Sequence, residues 1–350
     1  MSRTDDIIDK TKRTDSEAKK WKVVVGITLS LILCTSIYFG LLYFSEPIID
    51  DYLENSGGYP SLIYRAYNVY ENESADYSNS IFLIGSSLVE AGIRPDKVSS
   101  ELVRQGYDNI TIYNLHISMD TPLLRSLEIQ KIIEASPNMI IYGVTYRDVV
   151  DTTMHSDERF TLVHNKLDIS EDALYLYNQN ELELINTAPP VDYNKKYLFG
   201  AWEYALKKQE TAEPLLSDSI TSAVSTPVRL DVNEIESKAN NGPRYIVWHP
   251  DISNTSTRYK DALLYNVRTL ENAGIDVILI NMPLTPALSN LISNDTRKNF
   301  FNLLDETGAS WYDFERAYGY EFFGDIVHAS DYGSDLFAPV IADVIIQEMR

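Results

Sequence analysis

Two short segments far apart in the chain hold the residue types needed for nucleophilic acyl transfer. Gly85-Ser86-Ser87-Leu88 directly follows the apolar run Ile81-Phe82-Leu83-Ile84. Asp325-Ile326-Val327-His328 stands near the carboxyl terminus, with Gly333 shortly after it. A serine hydroxyl is a weak nucleophile and needs a base that takes its proton near neutral pH, and histidine is that base. A carboxylate three residues before the histidine can hydrogen-bond the far ring nitrogen and fix the tautomer. A serine on a tight strand-to-helix turn also presents a backbone N–H to a developing oxyanion. On this reading Ser87 is the nucleophile, His328 the general base and Asp325 the acid that orients it. Each segment alone is a common string, so the signal is their joint placement.

The elements between them must supply that placement. Ile81–Ile84 reads as a strand buried on both faces. Pro95 to Gln105 reads as a helix with Pro in its first turn and Gly106 past its end. Ile110 to Asn114 is a second strand, Asp120 to about Ala135 a helix, and Met139 to Val144 a third strand. The alternation then stops. Residues 151–241, with helical pieces at Asp172–Asn186 and Tyr197–Gln209, read as an insertion or lid over the carboxyl ends of the strands. Alternation resumes with a strand at Arg244–Trp248, a helix to Ala273, the strand Asp276–Asn281, a helix to Glu306, the strand Ser310–Phe314 and a final helix from Asp335 to Met349. This order predicts an α/β fold, a three-layer αβα sandwich around a parallel sheet, with chemistry at the carboxyl ends of the strands.

The two segments, so placed, resemble the sequence blocks of the SGNH/GDSL hydrolase superfamily, over residues 80–150 and 244–350. The resemblance implies the SGNH, flavodoxin-like form of the sandwich and the same three roles for Ser87, His328 and Asp325. Ser86 stands where that family usually has Asp. The family's second block carries glycines, one lending its N–H to the oxyanion hole. Here the stretch is Asn114-Leu115-His116-Ile117-Ser118-Met119, with His116 and Met119 at the glycine places. The third block normally has an Asn donor, and Gly143-Val144-Thr145-Tyr146 offers Thr145. The implied oxyanion donors are therefore Ser87, Met119 and Thr145. The departures leave two function classes open. One is an esterase or O-acyltransferase working through an acyl-Ser87 intermediate. The other is an SGNH-like scaffold, weak or inactive, that binds a glycan or a membrane partner.

Other residues have types suited to binding or chemistry. His116 follows the second strand, and Tyr142 and Tyr146 flank the end of the third. They are candidates for substrate binding, the tyrosines by stacking on sugar rings. His116, His249 and His328 invite a metal reading, but nothing fixes their mutual geometry, and no metal and no cofactor are expected. His155, Asp157 and His164 read as solvated loop residues.

Composition sets the surroundings. The 350 residues carry 30 Lys+Arg against 51 Asp+Glu, a net charge of -21, which argues against a nucleic-acid partner. With 44% apolar residues the chain can bury a real core. Mean hydropathy of -0.20 excludes a polytopic membrane protein but leaves room for one span. Val23 to Phe44 is that span: it has no charge and, at ~1.5 Å per residue, crosses a ~30 Å hydrocarbon core. Arg3, Lys10, Lys12, Arg13, Lys19, Lys20 and Lys22 precede it, whereas Glu46, Asp50, Asp51 and Glu54 follow it. The positive-inside rule puts residues 1–22 in the cytoplasm as a tail, and the rest outside. Residues 45–79 read as a stalk and 80–350 as the extracytoplasmic domain, anchored in the cell membrane by residues 23–44. The only cysteine, Cys34, lies inside the span, so no disulfide is expected outside. Four outward sequons begin at Asn72, Asn109, Asn254 and Asn294. One anchor plus an outside SGNH domain is similar in layout to the proteins of lipoteichoic-acid D-alanylation and alginate acetylation. That likeness implies acyl esters of a surface glycan or polymer as substrate and a membrane-bound O-acyltransferase as partner.

Overall fold

The computed structural model describes residues 3–55, 59–149, 170–187, 197–206, 231–241 and 257–350. The chain divides into two compact units, Met1–Tyr52 with Pro189–Pro214, and Leu53–Ala188 with Leu215–Arg350.

The first unit is built on a single long helix, α1 (Arg3–Asn55), whose last residues pass into the second unit. Lys20–Ser45 within it is long and apolar enough to cross a membrane. Pro47 lies inside the helix without ending it. The helix 197–206, part of the expected insertion, belongs to this unit.

The second unit holds a five-stranded, all-parallel sheet: β1 (Ser80–Ile84), β2 (Thr111–Asn114), β3 (Met139–Val144), β4 (Asp276–Asn281) and β5 (Ser310–Asp313). Their spatial order is β2-β1-β3-β4-β5. The inner strands β1 and β3 are buried at every position, which is why they read as unbroken apolar runs. The edge strands β2 and β5 are partly exposed and more polar. β1 is flanked by β2 on one side and β3 on the other, so the chain reverses direction across the sheet at β1. In open parallel sheets a crevice forms at that switch point, outside the carboxyl ends of the strands. The expected strand at Arg244–Trp248 lies outside the described residues, and β3 pairs directly with β4 from Met139↔Asp276 to Val144↔Asn281.

The segment expected as a stalk is partly built into the sheet-bearing unit. The helix α2 (Tyr59–Tyr70) buries Ile63, Tyr64, Ala66, Tyr67 and Tyr70. Ser61 Oγ donates to Leu53 O at 2.6 Å. Tyr70 reaches a fully buried guanidinium, Arg125, that spends all five N–H donors. Nε and Nη2 meet Asp120 Oδ2 at 2.8 and 2.6 Å, and Nη1 meets Glu128 Oε2 at 2.7 Å. Nη1 also reaches Tyr70 Oη at 3.3 Å, and Nη2 reaches Leu115 O at 3.2 Å. A buried charge is tolerated only when paired this completely. The helix expected from Asp120 to Ala135 is correspondingly broken into Pro122–Arg125 and Ile129–Ala135, around a turn that brings Arg125 and Glu128 together.

After β1 come two short helices, α3 (Ser87–Gly92) and α4 (Pro95–Arg104). The final helix, Asp331–Glu348, starts four residues earlier than expected because Ser330 caps it, accepting from the Gly333 N–H at 3.0 Å. α4 holds the start of this helix: Lys97 Nζ reaches Asp331 O, Ser334 Oγ and Asp335 Oδ1 at 2.8–2.9 Å. The carboxyl-terminal segment is thereby fixed beside the end of β1.

Candidate active site

The turn after β1 is shaped by what it cannot accommodate. Gly85 has φ +136°, and a Cβ there would stand 2.6 Å from Gly143 O and 2.7 Å from Val89 Cγ2. Only glycine allows β1, β3 and α3 to meet this closely. Ser86 is buried and caps α3, its hydroxyl accepting from the Leu88 N–H at 3.5 Å. Ser87 is the first helical residue, with its side chain facing out of the turn. The two serines of the motif thus have separate jobs.

Ser87 Oγ lies 2.9 Å from His328 Nε2, across a sequence separation of 241. His328 Nδ1 lies 2.8 Å from Asp325 Oδ2. The other carboxylate oxygen, Oδ1, accepts the backbone N–H groups of Val327 and His328, each at 2.7 Å. An ionised carboxylate only accepts, so the proton on the ring sits at Nδ1 and leaves Nε2 free to take the serine's. Burial works against the charge on Asp325, but the hydrogen bonds from the His328 ring and from the two N–H groups outweigh it and hold the carboxyl below its ordinary range. The segment is closed by the Gly324 N–H donating to His328 O at 2.9 Å and by the bridge Phe323↔Ala329. The Asp325 side chain is 53% exposed and that of His328 37%, so solvent and small solutes reach both.

The stretch after β2 runs on beside β1: Leu115 N–H donates to Leu83 O, and Ile117 N–H to Gly85 O. It carries His116 to the turn that holds Ser87. His116 is 8% exposed. Its Nδ1 lies 2.8 Å from Asn114 Oδ1, an oxygen that also accepts the His116 backbone N–H at 3.2 Å. That second bond fixes the amide orientation, so Nδ1 donates. Its Nε2 lies 2.9 Å from Glu90 Oε2. Glu90 sits three residues after Ser87 on α3. Its carboxyl is held below the usual range, first by the His116 ring beside it, against burial, with His328 and Arg65 adding to it. Glu90 escaped the sequence reading, although a spacing of three along a helix puts a side chain on the same face as the serine. Met119 stands at a place of glycine in the resembling family, and it adopts φ +59°, the left-handed conformation glycine prefers. Among the described residues neither the Ser87 nor the Met119 N–H donates to a protein acceptor.

The other expectations do not survive the geometry. Thr145 is fully buried, and both its N–H and its hydroxyl donate to Asp148 Oδ2, at 2.8 and 3.0 Å. It has no donor left for an oxyanion. Thr145-Tyr146-Arg147-Asp148 has the spacing of a capping box, here opening the 3₁₀ turn Tyr146–Val149, and that local signal was present in the sequence. Tyr142 is buried behind the turn that holds Ser87, lining a small gap with Gly85, Ser86, Asp120, Thr121 and Asp148. Tyr146 is fully buried, and its hydroxyl donates to Glu315 Oε2 at 2.5 Å. Neither tyrosine is placed to stack on a sugar: Tyr142 lies on the inner strand β3, buried at every position, and the Tyr146 ring packs against Phe300. His155, Asp157, His164 and His249 lie outside the described residues.

The assembled groups can do one kind of chemistry readily. A hydroxyl, an imidazole and a carboxylate stand in series, with the unused Ser87 N–H beside the hydroxyl, an arrangement able to form and resolve an acyl-serine. No protein-family model matches this chain, and no curated protein matches it.

Proposed function

We propose that this chain is a membrane-anchored serine esterase or O-acyltransferase of the SGNH type, a three-layer αβα domain held outside the cell by residues 23–44. The observation that carries the reading is the Ser87–His328–Asp325 series, continuous at 2.9 and 2.8 Å. Ser87 Oγ attacks the acyl carbonyl while His328 Nε2 takes its proton. The tetrahedral oxyanion is met by the Ser87 and Met119 N–H groups. Collapse breaks the bond to the leaving alcohol, which receives the proton from His328 and leaves an ester on Ser87. Water or an acceptor hydroxyl then attacks that ester, giving its proton to His328, and Ser87 is regenerated. Asp325 stabilises the imidazolium in both halves. No metal or cofactor enters these steps. The layout of anchor and domain supports acyl esters of a surface glycan or polymer as substrate, and a membrane-bound O-acyltransferase as the donor's source.

The test is labelling of the full chain in detergent micelles with a fluorophosphonate probe. The parent chain takes the label, and Ser87→Ala loses it, while Ser86→Ala keeps most of it. One observation favours a second reading: Thr145 is spent on Asp148, so the oxyanion site has no side-chain donor. A missing donor typically costs ~10²–10³ in rate. If the parent chain takes no label above the Ser87→Ala background, the domain is a scaffold that binds a glycan or a membrane partner.

A further inference from the structure

The helix 197–206 packs on α1 where the apolar span ends. Trp202 Nε1 donates to Ser45 Oγ at 3.2 Å, and Ser45 is the last residue of that span. Tyr204 meets Tyr52 edge to face, with ring centroids 5.8 Å apart. Gly200 lies so close to the Tyr52 ring that a Cβ would stand 3.0 Å from its oxygen. Tyr197 and Ala201 are buried. Beside that contact the helix is apolar and exposed: Phe199 is 85% exposed, Leu206 58% and Trp202 41%. Spacings of three and four put these three in one stripe, with Glu203 at its edge. On α1, Tyr43 and Phe44 are also exposed at the same level, beside Ser45.

We propose that the helix 197–206 lies in the membrane–water interface and dips Phe199, Trp202 and Leu206 among the lipid headgroups around the exit of α1. The proposal rests on α1 spanning a bilayer. A surface of this kind in water is a liability, whereas beside a span it continues the apolar surface the span already presents to lipid. Trp and Tyr favour this depth, where the ring is apolar and the polar edge is wet. Charge points to the same occupant. In the sequence Lys195-Lys196 precedes the helix and Lys207-Lys208 follows it, four lysines within fourteen residues of an otherwise strongly acidic chain. Such pairs attract anionic headgroups. The consequence is a second attachment to the bilayer through a segment of the insertion.

The test uses the full chain with Cys34→Ser and single cysteines at Phe199, Leu206, Ile32 and Glu73, each carrying a nitroxide. The labelled proteins are placed in vesicles of phosphatidylcholine and phosphatidylglycerol, and collisions with oxygen and with a water-soluble nickel chelate are measured. The expected result is Ile32 deep in hydrocarbon, Glu73 in water, and Phe199 and Leu206 at intermediate depth, favouring oxygen over nickel. If Ile32 is deep while Phe199 and Leu206 match Glu73, the interfacial placement is wrong. If they are shielded from both reagents, protein rather than lipid covers the stripe, and the proposal is equally overturned. If Ile32 itself reads as aqueous, α1 does not span, and that reading fails first.

Discussion

At Asp148 a carboxyl is committed to holding one residue, and burial sets its charge. Burial pushes its pKa up from 3.8 to about 6, against the pull of Arg147 and of the Thr145 bonds. A raised folded-state value means that the folded chain favours the protonated acid. That contribution is fully present below the unfolded value near 4 and is lost as pH rises through about 6, for a total on the order of 3 kcal/mol. Asp148→Asn keeps an acceptor for Thr145 and carries no charge. Its stability relative to the parent should therefore improve between pH 4.5 and 7.5, read as a rising difference in urea midpoints. An unchanged difference would mean that the carboxyl ionises without cost. The same pairing decides a second substitution. Thr145→Asn, which a family-style donor would reward, should not raise esterase turnover, because the side chain at this position is directed to Asp148. It should instead lower stability by about 1–3 kcal/mol by disturbing a buried hydrogen-bonded pair, measured by denaturation alongside p-nitrophenyl acetate hydrolysis.

At the scale of elements, Ser87 is positioned by the meeting of β1, β3 and α3. Gly85 and Gly143 let the strand ends and Val89 come into contact, and the run from Leu115 to Ile117 extends the pairing of β2 up to Gly85. Gly85→Ala adds a Cβ against the Gly143 carbonyl at a φ that other residues avoid. It should cost about 3 kcal/mol, and it should weaken fluorophosphonate labelling even in the folded fraction, since Ser87 shifts with the turn. Normal labelling with normal stability would show that the turn relaxes freely. The carboxyl-terminal arm is placed by different means, the salt-bridged contact between α4 and the final helix at Lys97, Asp331 and Asp335. Two separate devices therefore set one 2.9 Å hydrogen bond.

At the scale of the whole molecule, the folded sheet-bearing unit begins before β1. α2 buries three tyrosines, and Tyr70 is a partner of the Arg125 cluster. A chain starting at Leu53 should fold and take the serine probe. A chain starting at Ser80 removes α2, opens the cluster to solvent on one side, and should aggregate or unfold at temperatures the longer chain survives. Thermal denaturation of the two truncated chains distinguishes them. Equal midpoints would restore the view of residues 45–79 as a passive stalk.

Much of this was legible in the sequence, and what was legible is local. The apolar runs gave β1, β3 and β4 because inner parallel strands need apolar side chains on both faces. The uncharged stretch before Ser45 gave a helix long and apolar enough to cross a membrane, and the order of strands and helices gave the parallel sheet. The short spacing of Asp325 and His328 gave their pairing, which is made within one turn of chain. What the tertiary structure decided is which side chains meet across long separations and which faces are covered. It brought Ser87 to His328, set Glu90 against His116, and enclosed Tyr142 and Tyr146. It also drew α2 into the core and laid the helix 197–206 on α1. The physical reason is that a hydroxyl, an imidazole or a tyrosine ring has several acceptable partners, and no local pattern states which of them the folded chain will place within 3 Å.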